Sequence, residues 1–182
     1  MNDKNKLNLK QICSMYSTDK NCLHCYVDEV YEDLFKEIRN SAKKILEIGV
    51  DNGGSILMWK EYFPEANITG IDNKDCPQLA DRERIEFIAA DAYNVELVDN
   101  LPNDFDVIID DGPHTLESMT FVIKEYLNKI NQNGIIVIED IQEFNWTNIL
   151  RRLLPENFSV EVRDLRKIRN RYDDILMIIR KN

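Results

Sequence analysis

Five short apolar runs, each followed by a stretch of helix length, set the strongest limit on how this chain can fold. They cover 44–50, 67–72, 85–91, 106–110 and 134–139, and Ile and Val recur through them. Strands buried on both faces of a parallel sheet read as such β-branched runs, with helices as the crossovers. The spacing predicts helices at 54–63, 77–83, 93–100, 115–130 and 146–153. In the fourth of these, Leu116, Met119, Val122, Ile123, Tyr126, Leu127 and Ile130 fall on one stripe. The last two apolar runs, 158–162 and 175–179, have no helical pattern between them, so an antiparallel pair is expected to end the sheet. Upstream, 7–16 and 27–39 read as helices on either side of the polar stretch 17–24. The expectation is an α/β domain over 1–182: a seven-stranded, mostly parallel sheet with helices on both faces. Residues 1–40 would form a helical N-terminal cover and 41–182 the core.

Composition narrows the function classes. The 182 residues are 43% hydrophobic and 31% charged, as in an ordinary globular protein. No apolar run approaches the ~20 residues that span a bilayer, and the N-terminus has no apolar signal core, so no membrane role and a cytoplasmic place are expected. A formal net charge of −10 argues against nucleic acid as a partner. The basic residues Arg163, Arg166, Lys167, Arg169 and Arg171 gather between the last two strands and read as a solvated loop. Cys22 and Cys25 have the spacing of half a zinc site, but no second pair completes it, so reduced thiols are expected.

In an open α/β sheet, ligands bind beyond the carboxyl ends of the strands, where the strand order reverses. The first run ends in Glu47-Ile-Gly49-Val-Asp-Asn-Gly53-Gly54-Ser55. Glycines there let the backbone turn tightly and approach a ligand with no Cβ in the way. The spacing is ExGxxxGG and not GxGxxG, so the turn that cradles a dinucleotide pyrophosphate is not reproduced. Asp72 ends the second run, 23 residues after Gly49, where a carboxylate can accept from both ribose hydroxyls. Asp91 ends the third, with Ala92 beside it, where a carboxylate can accept from an adenine amino group. One such acid alone reads as a helix cap. Three strand ends that each carry the fitting group read as an adenosine site.

Glu47–Ser55 with Asp72 and Asp91 resembles the cofactor motifs of class I S-adenosylmethionine-dependent methyltransferases. A longer set is more specific: Tyr16-Ser-Thr-Asp-Lys20, His24-Cys-Tyr26, Ser55-Ile-Leu-Met-Trp59, Tyr62-Phe-Pro64, Asp110-Asp-Gly-Pro-His114 and Ile138-Glu-Asp140. Together, over about 16–146, these are similar to the macrocin and mycinamicin sugar O-methyltransferases and the cephalosporin-hydroxylase-like proteins. The resemblance implies a Rossmann-like class I methyltransferase fold and S-adenosylmethionine as cofactor. It also implies a divalent cation such as Mg²⁺, and a small-molecule hydroxyl, of a sugar, as methyl acceptor. The chain departs from the family at Ser17, usually glycine, and at Pro113, more often serine. It is also shorter than the macrolide enzymes and lacks their large N-terminal region, which points away from a macrolide substrate.

Asp110 and Asp111 close the fourth run, and Glu139 and Asp140 the fifth. Unpaired, these acids would repel one another. A divalent cation relieves the repulsion, and oxygen ligands favour a hard ion over zinc. The resemblance assigns metal ligation to Asp111, Glu139 and Asp140 and leaves Asp110 on the cofactor side. The alternative, that one acid of each pair caps the helix after it, stays open. Gly112 and Pro113 suit cap and first-turn positions, which would put His114 in the first turn of the long helix. The helix dipole and a nearby metal would keep that imidazole neutral, as a general base requires. His114 and Asp111 are therefore the expected catalytic residues. Thr18 and Lys20 are expected at the cofactor, in a lid formed with Tyr16, Asp19, His24 and Tyr26; a plain surface loop is the other reading. His24, Tyr26, Gln142, Phe144 and Trp146 are the expected acceptor contacts. Trp59, sharing a helix face with Ile56 and Phe63, reads as core. A catechol or phenol O-methyltransferase, an idle S-adenosylmethionine-binding protein and a homo-oligomeric assembly all stay open.

Overall fold

Along each central strand, consecutive side chains enter opposite hydrophobic layers, which is why the runs are apolar throughout. The computed structural model describes residues 6–182; the first five residues of the expected N-terminal cover lie outside the described residues. The strands are β1 (Lys44–Ile48), β2 (Asn67–Asp72), β3 (Ile85–Ala89), β4 (Phe105–Asp110), β5 (Ile130–Ile138), β6 (Phe158–Asp164) and β7 (Ile175–Lys181). They form one sheet in the order β3-β2-β1-β4-β5-β7-β6. All pairings are parallel except those of β7, which runs antiparallel to both β5 and β6. This is the expected seven-stranded α/β sheet with its antiparallel end.

Ile45, Val107, Ile109 and Val137 point into one layer, with α1 (Leu9–Cys13), α4 (Gly54–Tyr62) and the N-terminal cover. Leu46, Ile48, Ile108, Ile136 and Ile138 point into the other. There they meet α5 (Val95–Asn100), α6 (Leu116–Phe121) and α7 (Phe144–Arg151). Each fully buried aliphatic side chain contributes about 1.5–3 kcal/mol. The cover is fastened by aromatics. After α2 (Asp19–Cys22), a π-helical turn Val27–Tyr31 continues into α3 (Glu32–Phe35), and Tyr31 and Phe35 both meet Trp59 edge-on, at 5.4 and 5.8 Å between ring centroids. Trp59 is core, as the helical spacing predicts.

Several expectations need correction. Residues 77–83 form only a 3₁₀ turn, Pro77–Leu79, because Asp81 and Arg84 adopt left-handed backbone angles that stop a helix. The long helix is composite: α6 passes into a π-helical turn, Val122–Tyr126, and a 3₁₀ turn, Leu127–Lys129. β5 begins at Ile130, four residues before the apolar run, with a register shift against β4 that absorbs the polar Asn131–Gly134 stretch. The basic stretch between the last strands is solvated as expected, but it is not a plain loop. It holds α8 (Arg166–Arg169), and Arg169 donates to the carbonyls of Cys22 and Asn21 at 2.7 and 2.9 Å. Arg166 is paired with Asp164 and Arg171 with Asp173. Among the described residues, no helix is long and apolar enough to cross a membrane.

Candidate active site

The chain runs outward from β1 through β2 to β3, then returns to the other side of β1 as β4. At that reversal a cavity of about 1030 Å³ opens above the carboxyl ends of the strands. Two glycines shape it. Gly49 has φ +82°, and a Cβ there would overlap the carbonyl oxygen of Asp111. A Cβ on Gly54 would overlap the carbonyl oxygen of Ser17, so the cover crosses directly over the glycine turn. Ser17, Thr18 and Asp19 line the cavity, as do Gly49, Gly54, Ser55, Asp72, Asp91 and Ala92.

Asp72 is fixed by backbone. Its Oδ2 accepts from the N–H groups of Val50 (2.8 Å) and Asp51 (3.1 Å), and its Oδ1 from that of Lys74 (2.9 Å). Burial raises its pKa, but these donors outweigh burial and hold it below the ordinary value. Oδ2 is thus filled by two backbone donors, and Oδ1 keeps a lone pair for a ligand. Asp91 Oδ1 accepts from Tyr93 N at 2.9 Å. Asp110 is buried and accepts from the Tyr93 hydroxyl at 2.6 Å, and burial pushes its pKa up to about 6.

Beneath the cavity lies a buried ion cluster. Lys20 Nζ is 2.7 Å from Asp111 Oδ2, 2.7 Å from Glu139 Oε2 and 3.1 Å from Glu47 Oε1. Burial disfavours the ammonium, but Asp111, Glu139 and Glu47 outweigh it and hold the Lys20 pKa well above its ordinary value. Burial pushes the pKa of Glu139 up, and likewise that of Glu47, against the pull of Lys20. The Tyr31 hydroxyl donates to Glu139 Oε1 and the Tyr26 hydroxyl to Asp140 Oδ1. His24 Nδ1 is 3.5 Å from that same oxygen. Every acid expected at the metal is therefore braced by the cover.

The remaining oxygens converge. Asp111 Oδ1 and Asp140 Oδ2 lie 3.8 and 3.7 Å from His114 Nε2, and one ligand atom from each residue lies within 4.8 Å of the others. His114 Nδ1 is buried without a partner, so Nε2 is the nitrogen presented to the acids. His114 (φ +54°) and Asp140 (φ +53°) both hold left-handed backbone angles. Such conformations cost about 1–3 kcal/mol each and persist where the surrounding structure fixes them, often at functional sites.

The structure corrects the setting of several site residues. His114 is not in a helical turn: Thr115 caps α6 by accepting from Ser118 N, and His114 precedes the cap. The helix-dipole argument for its neutrality falls with that placement. Glu47, Gly53 and Lys20 do not line the cavity. Glu47 accepts from Ser55 Oγ at 2.7 Å and faces Lys20. Gly53 caps α4 with φ +79°. His24 and Tyr26 are buried supports of Asp140, not exposed acceptor contacts. Gln142 and Phe144 are exposed just beyond Asp140, with Trp146 half-buried. Sequence reasoning missed Tyr31, Tyr93 and Asp174, whose positions read as ordinary core and loop. A signal for the ionic role of Lys20 did exist, since so many acids at neighbouring strand ends call for a buried cation.

Residues 46–141, more than half of the chain, match the family described as a methyltransferase domain. The chain belongs to the methyltransferase-domain family. Among curated relatives, this methyltransferase-domain protein is 32% identical over 165 residues to mycinamicin VI 2''-O-methyltransferase of Micromonospora griseorubida, covering 85% of this chain and 41% of that one. It is 30% identical over 142 residues to 8-demethyl-8-alpha-L-rhamnosyl tetracenomycin-C 2'-O-methyltransferase of Streptomyces olivaceus, covering 72% and 37%. The chain thus spans about two fifths of the length of these relatives. Its fold matches the solved MycE methyltransferase in complex with Mg, SAH and mycinamycin VI, with TM-score 0.81, 24% identity, and coverage of 98% of this chain and 55% of that one.

Proposed function

We propose that this chain is an S-adenosylmethionine- and divalent-metal-dependent O-methyltransferase acting on a sugar hydroxyl. The observation that carries this reading is the convergence of Asp111 Oδ1, Asp140 Oδ2 and His114 Nε2 beside the cavity that Asp72 and Asp91 line. The donor chemistry fits a hard divalent ion, because two carboxylate oxygens turn toward one point while their partner oxygens are held from behind. Asp111 and Asp140 would hold the ion. Glu139 lies outside that converging set and would stand behind it, held by Lys20 and Tyr31. When bound, the ion makes a coordinated hydroxyl more acidic, and the cofactor supplies a methyl carbon activated by its sulfonium.

The chain's own residues supply alignment and proton removal. Asp72, rigid on its backbone donors, orients a ribose; Asp91 and Ala92 meet the base; the Gly49–Ser55 turn lets the ligand approach the backbone. His114 Nε2 takes the acceptor's hydroxyl proton, so that the oxygen attacks in line. Gln142 and Phe144, exposed just beyond Asp140, are the candidate acceptor contacts. A sugar acceptor is supported by the rhamnosyl substrate named for the Streptomyces olivaceus relative. The test is transfer of labelled methyl from S-adenosylmethionine to a panel of sugars, nucleotide sugars and catechols. Sugars should be labelled; label found only in catechols would replace this reading with the phenolic one.

A further inference from the structure

Lys20 touches three strand ends at once. Glu47 belongs to β1, Asp111 follows β4, and Glu139 follows β5, and all three carboxylates lie within 3.1 Å of the same ammonium. Lys20 is 1% exposed, and the side chains of Glu47 and Glu139 are nearly as enclosed. A lysine so enclosed persists only when its charge is matched. Glu47 Oε1 has no hydrogen-bond partner, only the ionic contact with Lys20, so its charge also depends on that residue. With Asp140 beside them, the carboxylates outnumber the one ammonium, so Lys20 offsets only part of the site's negative charge.

We propose that Lys20 is a resident cation of the site that shares Asp111 with the divalent ion and lowers the affinity for it. The inference rests on the metal-dependent reading above. Lys20 holds one oxygen of Asp111, while the other faces His114 and Asp140. An ion between Asp111 and Asp140 therefore sits on the far side of a carboxylate that Lys20 already polarises. The ammonium withdraws charge from that ligand and repels the ion across it. It also prevents the acids from repelling one another when no ion is bound. Lys20 is in this sense a positioning residue, acting through Asp111.

The sign of the effect separates this role from a merely structural one. A lysine that only held the ligands in place would, on removal, weaken ion binding. A competing cation would, on removal, strengthen it. Even with water-like screening, one charge repelling two at a few ångströms changes affinity about tenfold. The experiment is Mn²⁺ titration followed by electron paramagnetic resonance on the whole chain, wild type against Lys20→Met and Lys20→Arg, at mildly alkaline pH. Lys20→Met should bind Mn²⁺ about tenfold tighter or more, and Lys20→Arg should stay close to wild type. Equal or weaker binding by Lys20→Met overturns the proposal while leaving the metal-dependent reading intact. Wild type that binds no Mn²⁺ at millimolar concentration overturns both. Should Lys20→Met not fold, the Lys20 ammonium resonance of the wild type is followed by ¹⁵N nuclear magnetic resonance during Mg²⁺ addition. A shift on loading supports a shared ligand, and an unmoved resonance in a protein that binds Mg²⁺ contradicts it.

Discussion

His24 Nδ1 meets Asp174 Oδ1 at 2.6 Å across a separation of 150 residues. The pair joins the N-terminal cover to the start of the last strand, and neither side chain is more than 4% exposed. Beside it, the same His24 nitrogen faces Asp140. The cover is therefore fixed to the far end of the chain through a residue that also steadies the proposed ion site.

Asp174→Ala should destabilise the protein by about 1–3 kcal/mol, because the buried His24 Nδ1 loses its 2.6 Å hydrogen-bond partner. Urea unfolding checks this. The variant should also bind Mn²⁺ more weakly than wild type, since Asp140 loses a brace. A loss below about 1 kcal/mol would place the pair among interactions of surface strength.

Asp110 gives stability a recognisable pH dependence. Its folded pKa is raised from 3.8 to about 6, so the folded state holds the proton more tightly than the unfolded one. Its contribution is fully favourable below the ordinary value and is lost as pH rises through the folded one. Between those limits Asp110 should cost roughly 2–3 kcal/mol of stability, an order-of-magnitude figure. Asp110→Asn should remove that part of the profile; an unchanged slope between pH 4 and about 6 would contradict the burial account.

Asp72 behaves oppositely. Its backbone donors lower the folded pKa, so its contribution is present above the ordinary carboxylate value and is lost as pH falls through the folded one. Asp72→Ala should weaken binding of S-adenosylhomocysteine by about 2–3 kcal/mol, through lost charge-assisted hydrogen bonds to the ribose. Calorimetry measures it, with NAD as the control ligand that should not bind.

Much of this was legible in the sequence. The apolar runs yielded seven strands and the antiparallel end because buried strands must be apolar on both faces, and Asp72 and Asp91 stand where strand-end chemistry puts them. Local pattern failed where long-range contacts decide. The apolar run begins only at 134, yet pairing with β4 draws the polar residues before it into β5. His114 follows a Gly-Pro pair that suits a helix start, yet Thr115 takes the cap. The basic stretch is solvated as it reads, but the contact of Arg169 with Asn21 and Cys22 is invisible locally because they are far away in sequence. Lys20 reads as part of a lid from its neighbours alone, and only the acids at distant strand ends call for a buried cation there.

His114→Ala should lower the methyl-transfer rate by roughly 10²–10⁴ while leaving cofactor affinity nearly unchanged. The wild-type rate at saturating substrate should rise with pH to a plateau through one deprotonation, and that limb should vanish in the variant. His24→Ala should instead show its main effect on folding stability. Wild-type turnover by His114→Ala, with the same pH profile, would make His114 a structural residue of the turn before α6.

The most direct test is methyl transfer to a sugar acceptor measured in excess chelator and again after Mg²⁺ is restored, with S-adenosylhomocysteine affinity measured in both states. Chelation should abolish turnover, restoration should recover it, and cofactor affinity should change little, because Asp72 and Asp91 stand at the ends of β2 and β3 whereas Asp111 and Asp140 follow β4 and β5. Full turnover in chelator would contradict the metal-dependent account and reduce the acids around Lys20 to a structural ion cluster.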